Sequence, residues 1–440
     1  PTREVPDMAI ADEISRPIML PTPGEGGIVD PNMRISVPKL NAMDASRMSR
    51  YRLREAFYQG AHYSQMIQRR EDLELPPATI NYVKEIVDRH NTMLMGEPPQ
   101  FAVDPRVDDS DLQAMQRRID FLNLMWELND KSKICTMMAD TAGTYGDAFV
   151  RVSYSDPTAR IKQAHVKMNL LEPEHNYSIH DGDRHLFSHA VLYPDAEINE
   201  LRGANLSLAL GAGNGVGEVW APKQWGKVRK GRIIERRNNP LEEPPFSHIR
   251  NQESTASVWG LSEIDGLIGL NSAFDRAVTD IGDILTYHAK PTVLFYGIDL
   301  DDYERTVDRF LSDLPTDGKV ETLHFNSDMP GYAQYTKVVR DAITEIGGIP
   351  EHAMGKFQPV SNTSAAAIAL LFLPMIHRRD RRRVFFSQGI HDINRLILKI
   401  GELMNLIPRS TSPYAYRAHI KWGSSLPRDR GNLLDEITRM

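Results

Sequence analysis

Cysteine is almost absent from the chain: among 440 residues only Cys135 carries a thiol. A single thiol cannot form an internal disulfide, and it cannot supply the paired thiolates of a cysteine-based zinc site. We therefore expect stability to come from packing and from association with other subunits, as in proteins assembled in a reducing cytoplasm.

Long apolar runs and excess basic charge are also missing. No stretch of 18 or more uninterrupted apolar residues occurs, and the N-terminus lacks the basic and apolar regions of a signal peptide, so we expect no contact with a membrane by that route. The formal net charge of −7 argues against a protein that grips nucleic acid through a basic surface. A protein along which DNA slides would gain from such weak contacts, because each neutralised phosphate adds affinity.

The motifs of common enzymes are missing too. Three Gly-Lys pairs begin at positions 226, 318 and 355 and continue with Val, Val and Phe, so none forms the phosphate-binding loop of an ATP-driven motor. The chain has no Gly-x-Ser-x-Gly elbow and no His-Glu-x-x-His pair. We predict no catalytic residues, no cofactor and no enzyme activity. A packaging-associated nuclease or hydrolase is an alternative that would require convergent acidic or nucleotide-binding residues.

One stretch rich in histidine and aspartate has two interpretations. Its spacing is not a strong ligand motif, and Asp-Gly-Asp at 181–183 is typical of a turn, so a surface hairpin is favoured over a metal site. The residues concerned are His175, His180, Asp181, Asp183, His185 and His189.

The positions of proline, glycine and periodic apolar residues predict an α+β protein. Residues 1–45 are rich in proline and glycine, which predicts an extended arm or a loosely ordered terminus. Residues 46–260 are predicted to form a mixed domain. Its helices are predicted at 44–70, 81–95, 109–129 and 131–145, and its strands at 148–154, 165–171, 189–193, 217–220 and 227–234.

Helical periodicity dominates from residue 261 to residue 406. In the segment 261–289, apolar or small residues recur at alternating three- and four-residue spacing, which predicts one helix with a narrow apolar stripe. A helix of this length is about 40 Å long, and a narrow stripe favours flat neighbours over a round core. The stripe consists of Ile264, Leu267, Asn271, Phe274, Val278, Ile281 and Leu285.

A small insert is predicted to follow this helix, and a second helix is predicted to run back alongside the first. Residues 290–331 should contain strands at 292–296 and 320–325 and a helix at about 300–314. Residues 332–354 are predicted to form the returning helix. We call the two predicted helices, 261–289 and 332–354, the stalk, and the insert 290–331 would lie at its end.

The rest of the chain is predicted to be a loop, a long helix and a short mixed segment. Loop-forming residues occupy 355–363, and the helix 364–406 contains Pro374, which should kink it. Residues 407–440 should include a strand at 417–422 and a final helix.

This order of elements is similar to the stem, clip, stem, tunnel loop and tunnel helix of phage portal proteins. Short blocks of residues occur in a matching order along residues 50–435, so the chain resembles the siphophage-type portal family of tailed double-stranded DNA bacteriophages. The blocks are Tyr58-Gln59-Gly60, Asn81-Tyr82-Val83, Met95-Gly96-Glu97-Pro98, Tyr145-Gly146-Asp147-Ala148-Phe149, Gly260-Leu261-Ser262-Glu263-Ile264 and Ser364-Ala365-Ala366-Ala367.

The resemblance implies a homo-oligomeric ring, of twelve subunits in the virion, at one vertex of the capsid. Double-stranded DNA would pass through it during packaging and ejection without sequence-specific contacts. It also implies contacts with the terminase large subunit, a head–tail adaptor, and the major capsid and scaffolding proteins, after assembly in the host cytoplasm. A different ring-forming head–neck adaptor is the alternative, but it should lack the stalk.

The same resemblance assigns a role to each segment. The wing would comprise residues 46–260, the two stem helices 261–289 and 332–354, and the clip 290–331. The tunnel loop would be 355–363 and the kinked tunnel helix 364–406. Residues 407–440 would return to the wing and start a crown.

Two groups of residues are candidates for contacts of the tunnel. The predicted loop could touch DNA phosphates weakly or be an ordinary helix connection; its residues are Lys356, Phe357, Gln358, Val360, Ser361 and Asn362. An arginine cluster follows Pro374 and cannot face one way, because adjacent helix positions are about 100° apart. It is expected to pair with acids of the same or a neighbouring subunit, or to contact DNA; its members are Arg378, Arg379, Arg381, Arg382 and Arg383.

A third group lies in the segment that the resemblance assigns to the clip. Its charged residues would contact terminase and adaptor, although paired carboxylates at this position also fit the solvated start of a helix. The group consists of Asp299, Asp301, Asp302, Glu304, Arg305 and Arg309.

Overall fold

In a computed structural model, the described residues are 42–62, 78–155, 165–181, 184–193, 216–229, 232–289, 292–296, 319–323, 329–350, 353, 370 and 372–423. Within these ranges no helix combines the length and apolar character needed to span a membrane.

Four helices come first in the described chain and lie close to the predicted positions. They are α1 (Ala42–Gln59), α2 (Tyr82–Met95), α3 (Leu112–Leu128) and α4 (Lys131–Tyr145). The prediction was wrong at the end of α1, which stops well before residue 70. Gly60 has a left-handed φ of 73°, a conformation that ends a helix and that glycine adopts without steric cost.

The strands of the described residues form four antiparallel sheets, one of three strands, one of five and two of two. The strands are β1 (Gln100–Ala102), β2 (Asp147–Ser155), β3 (His165–Leu171), β4 (Asn176–His180), β5 (Leu186–Tyr193), β6 (Val216–Trp220), β7 (Gln224–Arg229), β8 (Arg232–Asn238), β9 (Phe246–Arg250), β10 (Thr292–Tyr296), β11 (Lys319–Leu323) and β12 (His419–Lys421).

The three-stranded sheet has the order β3-β2-β9, and the five-stranded sheet has the order β4-β5-β6-β7-β8. Three strands, β1, β4 and β9, were not predicted, because they lack the run of β-branched residues that marks most strands. The single strand predicted at 227–234 is wrong: the chain reverses there, and β7 pairs with β8 from Gln224↔Asn238 to Arg229↔Arg232.

Two long helices and a small hairpin form the predicted stalk. Helix α5 (Ile268–Ala289) packs against α6 (Met329–Gly347), and β10 pairs with β11 in antiparallel register between them. A Cβ placed on Gly266, just before α5, would lie 3.5 Å from Cγ2 of Ile346 at the far end of α6, so the two helices run in opposite directions. β10, β11 and α6 match the predicted strands and the predicted returning helix.

The last long helix, α7 (Leu373–Leu403), has Pro374 in its first turn. The predicted kink at Pro374 inside a longer helix is therefore not what the described residues show. Proline is tolerated in a first turn because its missing N–H would have no partner there anyway. Residues 364–369, where the helix was predicted to begin, lie outside the described residues.

Helix α7 connects two hydrophobic cores. Its central and C-terminal part packs with α3, α4 and the three-stranded sheet around residues such as Trp126, Phe386 and Ile397. Its start packs with α1, α2, α5 and α6, where Ile86 and Ile343 are fully buried. The second core fixes the base of the stalk on the mixed domain.

Candidate functional site

The predicted apolar stripe begins just before α5, and it is buried at its start and exposed toward its end. Ile264 and Phe274 are 0% and 5% exposed, whereas Leu285 is 53% exposed. On α6, Tyr335, Val338 and Ile346 are more than half exposed. The described part of this chain therefore leaves apolar side chains of the stalk in contact with water, which is typical of a surface that another molecule covers.

A buried carboxylate lies where the stalk meets the mixed domain. The Glu263 side chain is fully buried, with Arg378 Nε 2.7 Å from Oε2 and Arg382 Nε 3.6 Å from Oε1. The side-chain amides of Asn251 and Gln252 each donate to Oε1 at 3.0 Å. Burial opposes ionisation, but the charges of the two arginines hold the pKa of Glu263 well below its usual range.

Arg382 is itself 1% exposed and donates from Nη2 to Asn91 Oδ1 at 2.8 Å. His90 Nδ1 lies 3.4 Å from Glu263 Oε2. Burial lowers the pKa of His90 in spite of this carboxylate, so the imidazole is neutral near pH 7 and the contact is not an ion pair. The two arginines are therefore the cations that balance the charge of Glu263.

Arg378 also holds the end of α6. Its Nη1 donates to Gly347 O at 2.9 Å and lies 3.3 Å from Ile346 O, two carbonyls that have no partner within the helix. One side chain at the start of α7 thus connects the end of α6 to Glu263, just before α5. We call Glu263, Arg378 and Arg382 the stalk junction.

The other arginines of the predicted cluster point elsewhere. Arg379 pairs with Asp380 at 2.7 Å, and Arg383 donates to Gly423 O at 2.9 Å with its guanidinium 5.0 Å from the ring centroid of Trp422. Arg381 is exposed. The five arginines therefore point in different directions around α7. Their acidic partners among the described residues are Glu263 and Asp380, both on the same chain.

A second buried carboxylate anchors α5 itself. Asp275 is 0% exposed; His62 Nε2 lies 2.8 Å from Oδ2, Asn271 donates to Oδ2 at 3.0 Å, and the N–H of Ile80 donates to Oδ1 at 3.0 Å. The sequence placed Asp275 outside the apolar stripe and gave no sign of its burial. Its partners are distant in sequence, and only the Asp275–Asn271 spacing of one helical turn was visible.

The histidine-rich stretch of the mixed domain is partly internal. Asp147 is fully buried and accepts from Tyr51 Oη, Gly260 N and His248 Nε2, each at 2.7 Å. His248 Nδ1 accepts in turn from His180 Nε2 at 3.0 Å. This chain of hydrogen bonds connects α1, both larger sheets and the start of the stalk.

Burial lowers the pKa of His248 and lowers that of His180 to about 2, so both imidazoles are neutral near pH 7. Burial disfavours the charge of Asp147 as well, but its three donors bring its pKa below the usual value. His189 is fully buried and bonds Ser178 and Asn176, so the predicted surface hairpin is wrong for this residue. No group of three or more potential ligands among the described residues could hold a metal ion.

Two predicted groups lie outside the described residues. The first is the loop group Lys356, Phe357, Gln358, Val360, Ser361 and Asn362. The second is the insert group Asp299, Asp301, Asp302, Glu304, Arg305 and Arg309.

A mixed domain that carries a long antiparallel helix pair with exposed apolar sides, ending in a small hairpin, defines a subunit built for assembly. The family model for phage portal proteins of the SPP1 Gp6-like type matches residues 39–440, and the chain belongs to this family. The resemblance noted in the sequence is thereby confirmed. The chain is a structural component of the virion that forms the channel at the portal vertex of the capsid.

No curated protein matches the sequence. Among solved structures, a chain from the virion of a native gene transfer agent (GTA) particle is similar, with 11% sequence identity, 92% coverage of each chain and a TM-score of 0.46.

Proposed function

We propose that this chain is the repeating subunit of a twelve-membered ring in which α5 and α6 of neighbouring subunits pack side by side around a channel for double-stranded DNA. The observation that carries the proposal is the exposed apolar surface of the stalk, including Leu285, Tyr335 and Val338. Each is 53–59% exposed, so burying the rest of one such side chain contributes roughly half of the about 1.5–3 kcal/mol gained when it goes from exposed to fully buried. Repeated at every interface of a closed ring, that contribution favours assembly.

The segments then take the roles of a portal subunit. Residues 46–260 form the wing, α5 and α6 the stem, and residues 290–331 the clip, whose charged residues contact the terminase large subunit during packaging and a head–tail adaptor afterwards. Residues 355–363 face DNA and contact phosphates without reading bases. The wing meets the major capsid and scaffolding proteins, and the rings assemble in the host cytoplasm.

The subunit acts without catalysis. Its family is structural, and the buried groups Asp147, Asp275, Glu263, His189 and His248 are bonded to protein partners in the described residues, so packing explains their burial. Energy for DNA movement comes from a separate motor, since no Gly-Lys pair of the chain continues with Ser or Thr.

Electron microscopy and native mass measurement of the purified protein test the ring. We expect closed rings with a central channel, and we expect Val338→Asp to shift the mass toward monomer while its circular dichroism is unchanged. Leu124→Asp is the matched control, because Leu124 is 45% exposed but lies on α3, outside the stem. A wild-type chain that is a stable monomer, or a compact bundle with no bore, would refute the proposal.

The tunnel loop has a separate test. Deletion of residues 357–361 should leave rings intact and reduce the yield of DNA-filled heads, because the duplex would lose its guiding contacts. Normal yields of filled heads from this variant would show that the segment is only a connection between helices.

A further inference from the structure

The hairpin formed by β7 and β8 concentrates positive charge in an acidic protein. Residues 223–237 contain seven basic residues and one acidic residue, a net charge of +6, whereas the whole chain carries −7. We call these residues the basic hairpin. Its cations are Lys223, Lys227, Arg229, Lys230, Arg232, Arg236 and Arg237, and its acid is Glu235.

The position of the hairpin makes these charges accessible. β8 is the last strand of the five-stranded sheet and pairs only with β7 among the described strands. The side chains of Lys227, Arg229, Arg236 and Arg237 are all exposed. Residues two apart on one strand share a face and are about 6.6 Å apart. Lys227 and Arg229 on β7 therefore lie on one face of the sheet together with Arg237, which is paired with Trp225, whereas Arg236, paired with Gly226, lies on the other face.

Part of this surface is held in place by its own contacts. Glu235 lies 3.6 Å from Lys227 Nζ and 2.5 Å from a guanidinium nitrogen of Arg237. Arg237 also lies 5.9 Å from the ring centroid of Trp225, and that ring stacks on Trp220 with a centroid distance of 4.8 Å. A cation ordered in this way loses less conformational freedom when it binds an anion.

Protection of an exposed edge does not explain the composition. Charged side chains, especially lysines, on an edge strand discourage pairing with another strand, but the net charge of +6 is spread over both strands of the hairpin, and β7 lies inside the sheet. The arginines of the stalk junction differ, since a buried carboxylate balances them. A surface with this excess of exposed guanidinium and ammonium groups fits a polyanion with closely spaced charges.

We propose that the basic hairpin binds the phosphate backbone of double-stranded DNA, without sequence preference, at a surface separate from the channel. The channel is suited to letting DNA slide, and the hairpin supplies a place on the wing where a duplex is held. This contact does not depend on the ring, so it can be tested whether or not the ring proposal is correct.

A closed circular plasmid separates the two kinds of contact, because DNA without free ends cannot thread a closed ring. Filter binding of labelled plasmid to the purified full-length protein would be measured between 50 and 200 mM salt. We compare wild type with Lys227→Gln/Arg229→Gln, a double variant on one face of β7 that keeps the contacts of Arg237 with Glu235 and Trp225. Two lost phosphate contacts reduce the slope of log affinity against log salt by about 1.8, so wild-type affinity should fall about tenfold further than that of the variant over this range.

Two controls make the result specific to charge and place. Arg117→Gln/Lys133→Gln removes the same charge from exposed positions on α3 and α4, and it should bind plasmid like wild type. Lys227→Arg/Arg229→Lys keeps the charge and should retain binding. Equal binding and equal salt slopes for all proteins would overturn the proposal. Unchanged plasmid binding with loss of the double Gln variant from assembled capsids would overturn it too, in favour of an acidic protein partner.

Discussion

Replacing Glu263 by glutamine tests the physical basis of the stalk junction. The change is isosteric, and Asn251 and Gln252 can still donate to the remaining oxygen. Arg382, however, is 1% exposed and would lose the charge that balances it. Breaking a buried ion pair in this way costs about 3–5 kcal/mol, because an uncompensated charge is left away from water.

The expected shift in melting temperature follows from chain length. Unfolding entropy is about 2.1 cal/mol/K per residue, or ~0.9 kcal/mol/K for a chain of this size, so a loss of 3–5 kcal/mol lowers the melting temperature by about 3–5 °C. Differential scanning calorimetry at fixed protein concentration measures this shift. The concentration must be fixed because assembly itself stabilises the folded state.

The matched control makes the same substitution at an exposed ion pair. Glu85 pairs with Arg89 on α2, with side chains 48% and 36% exposed, and such pairs contribute about 0–1 kcal/mol. Glu85→Gln should therefore change the melting temperature by about 1 °C or less. If Glu263→Gln melted within about 1 °C of the wild type, leaving Arg382 without its buried carboxylate would not destabilise the fold, and the reasoning would be refuted.

Three further predictions concern the mixed domain and the stalk. Burial lowers the pKa of His180 to about 2, so below pH ~6.5 the unfolded chain binds more protons than the folded chain. The free energy of unfolding should therefore fall from pH 7 to pH 5, and it should fall less in His180→Gln. Equal losses in the denaturant midpoint for the two proteins would contradict this. Trp126→Phe removes the 2.8 Å bond from Nε1 to Asn394 Oδ1 and leaves a buried acceptor unpaired, so urea unfolding should show a loss of about 1–3 kcal/mol; no loss would show that water replaces the indole. Gly146→Ala should abolish soluble folded protein, because φ is +90° and a Cβ would lie 2.5 Å from a backbone oxygen. A Cβ at Gly269 would meet nothing within 4 Å, so Gly269→Ala should stabilise α5 by about 0.5–1 kcal/mol in thermal melts. Similar melts for both variants would refute the steric argument.

Local sequence signals were sufficient for much of the fold. Polar N-caps, glycines at helix ends and alternating apolar residues act over a few positions, so α2, α3, α4, β3 and the β10–β11 pair lie close to where they are predicted. Signals of the same kind failed where tertiary context decides. The reversal between β7 and β8 was missed because charged residues continue through both strands without an Asn-Gly or Asp-Gly turn.

The buried polar residues could not be predicted for a related reason. Asp275 and Glu263 look like solvent-facing acids in a helical pattern, and their burial depends on His62 and Arg382, each more than 100 positions away in sequence. Patterns along a single sequence do not indicate which distant residues will meet in the folded chain. Only the arginine cluster gave a partial signal, since its spacing around α7 required several of its members to face protein.

The β10–β11 hairpin has a consequence for how the molecule matures. Among the described strands, β10 and β11 pair only with each other, and an isolated two-stranded ribbon is marginally stable in water. The tip of the stalk should therefore gain rigidity from neighbours that a lone chain does not have. Amide hydrogens at this tip should exchange quickly in dissociated subunits and slowly after assembly, which would make oligomerisation the last step of folding for this part of the polypeptide.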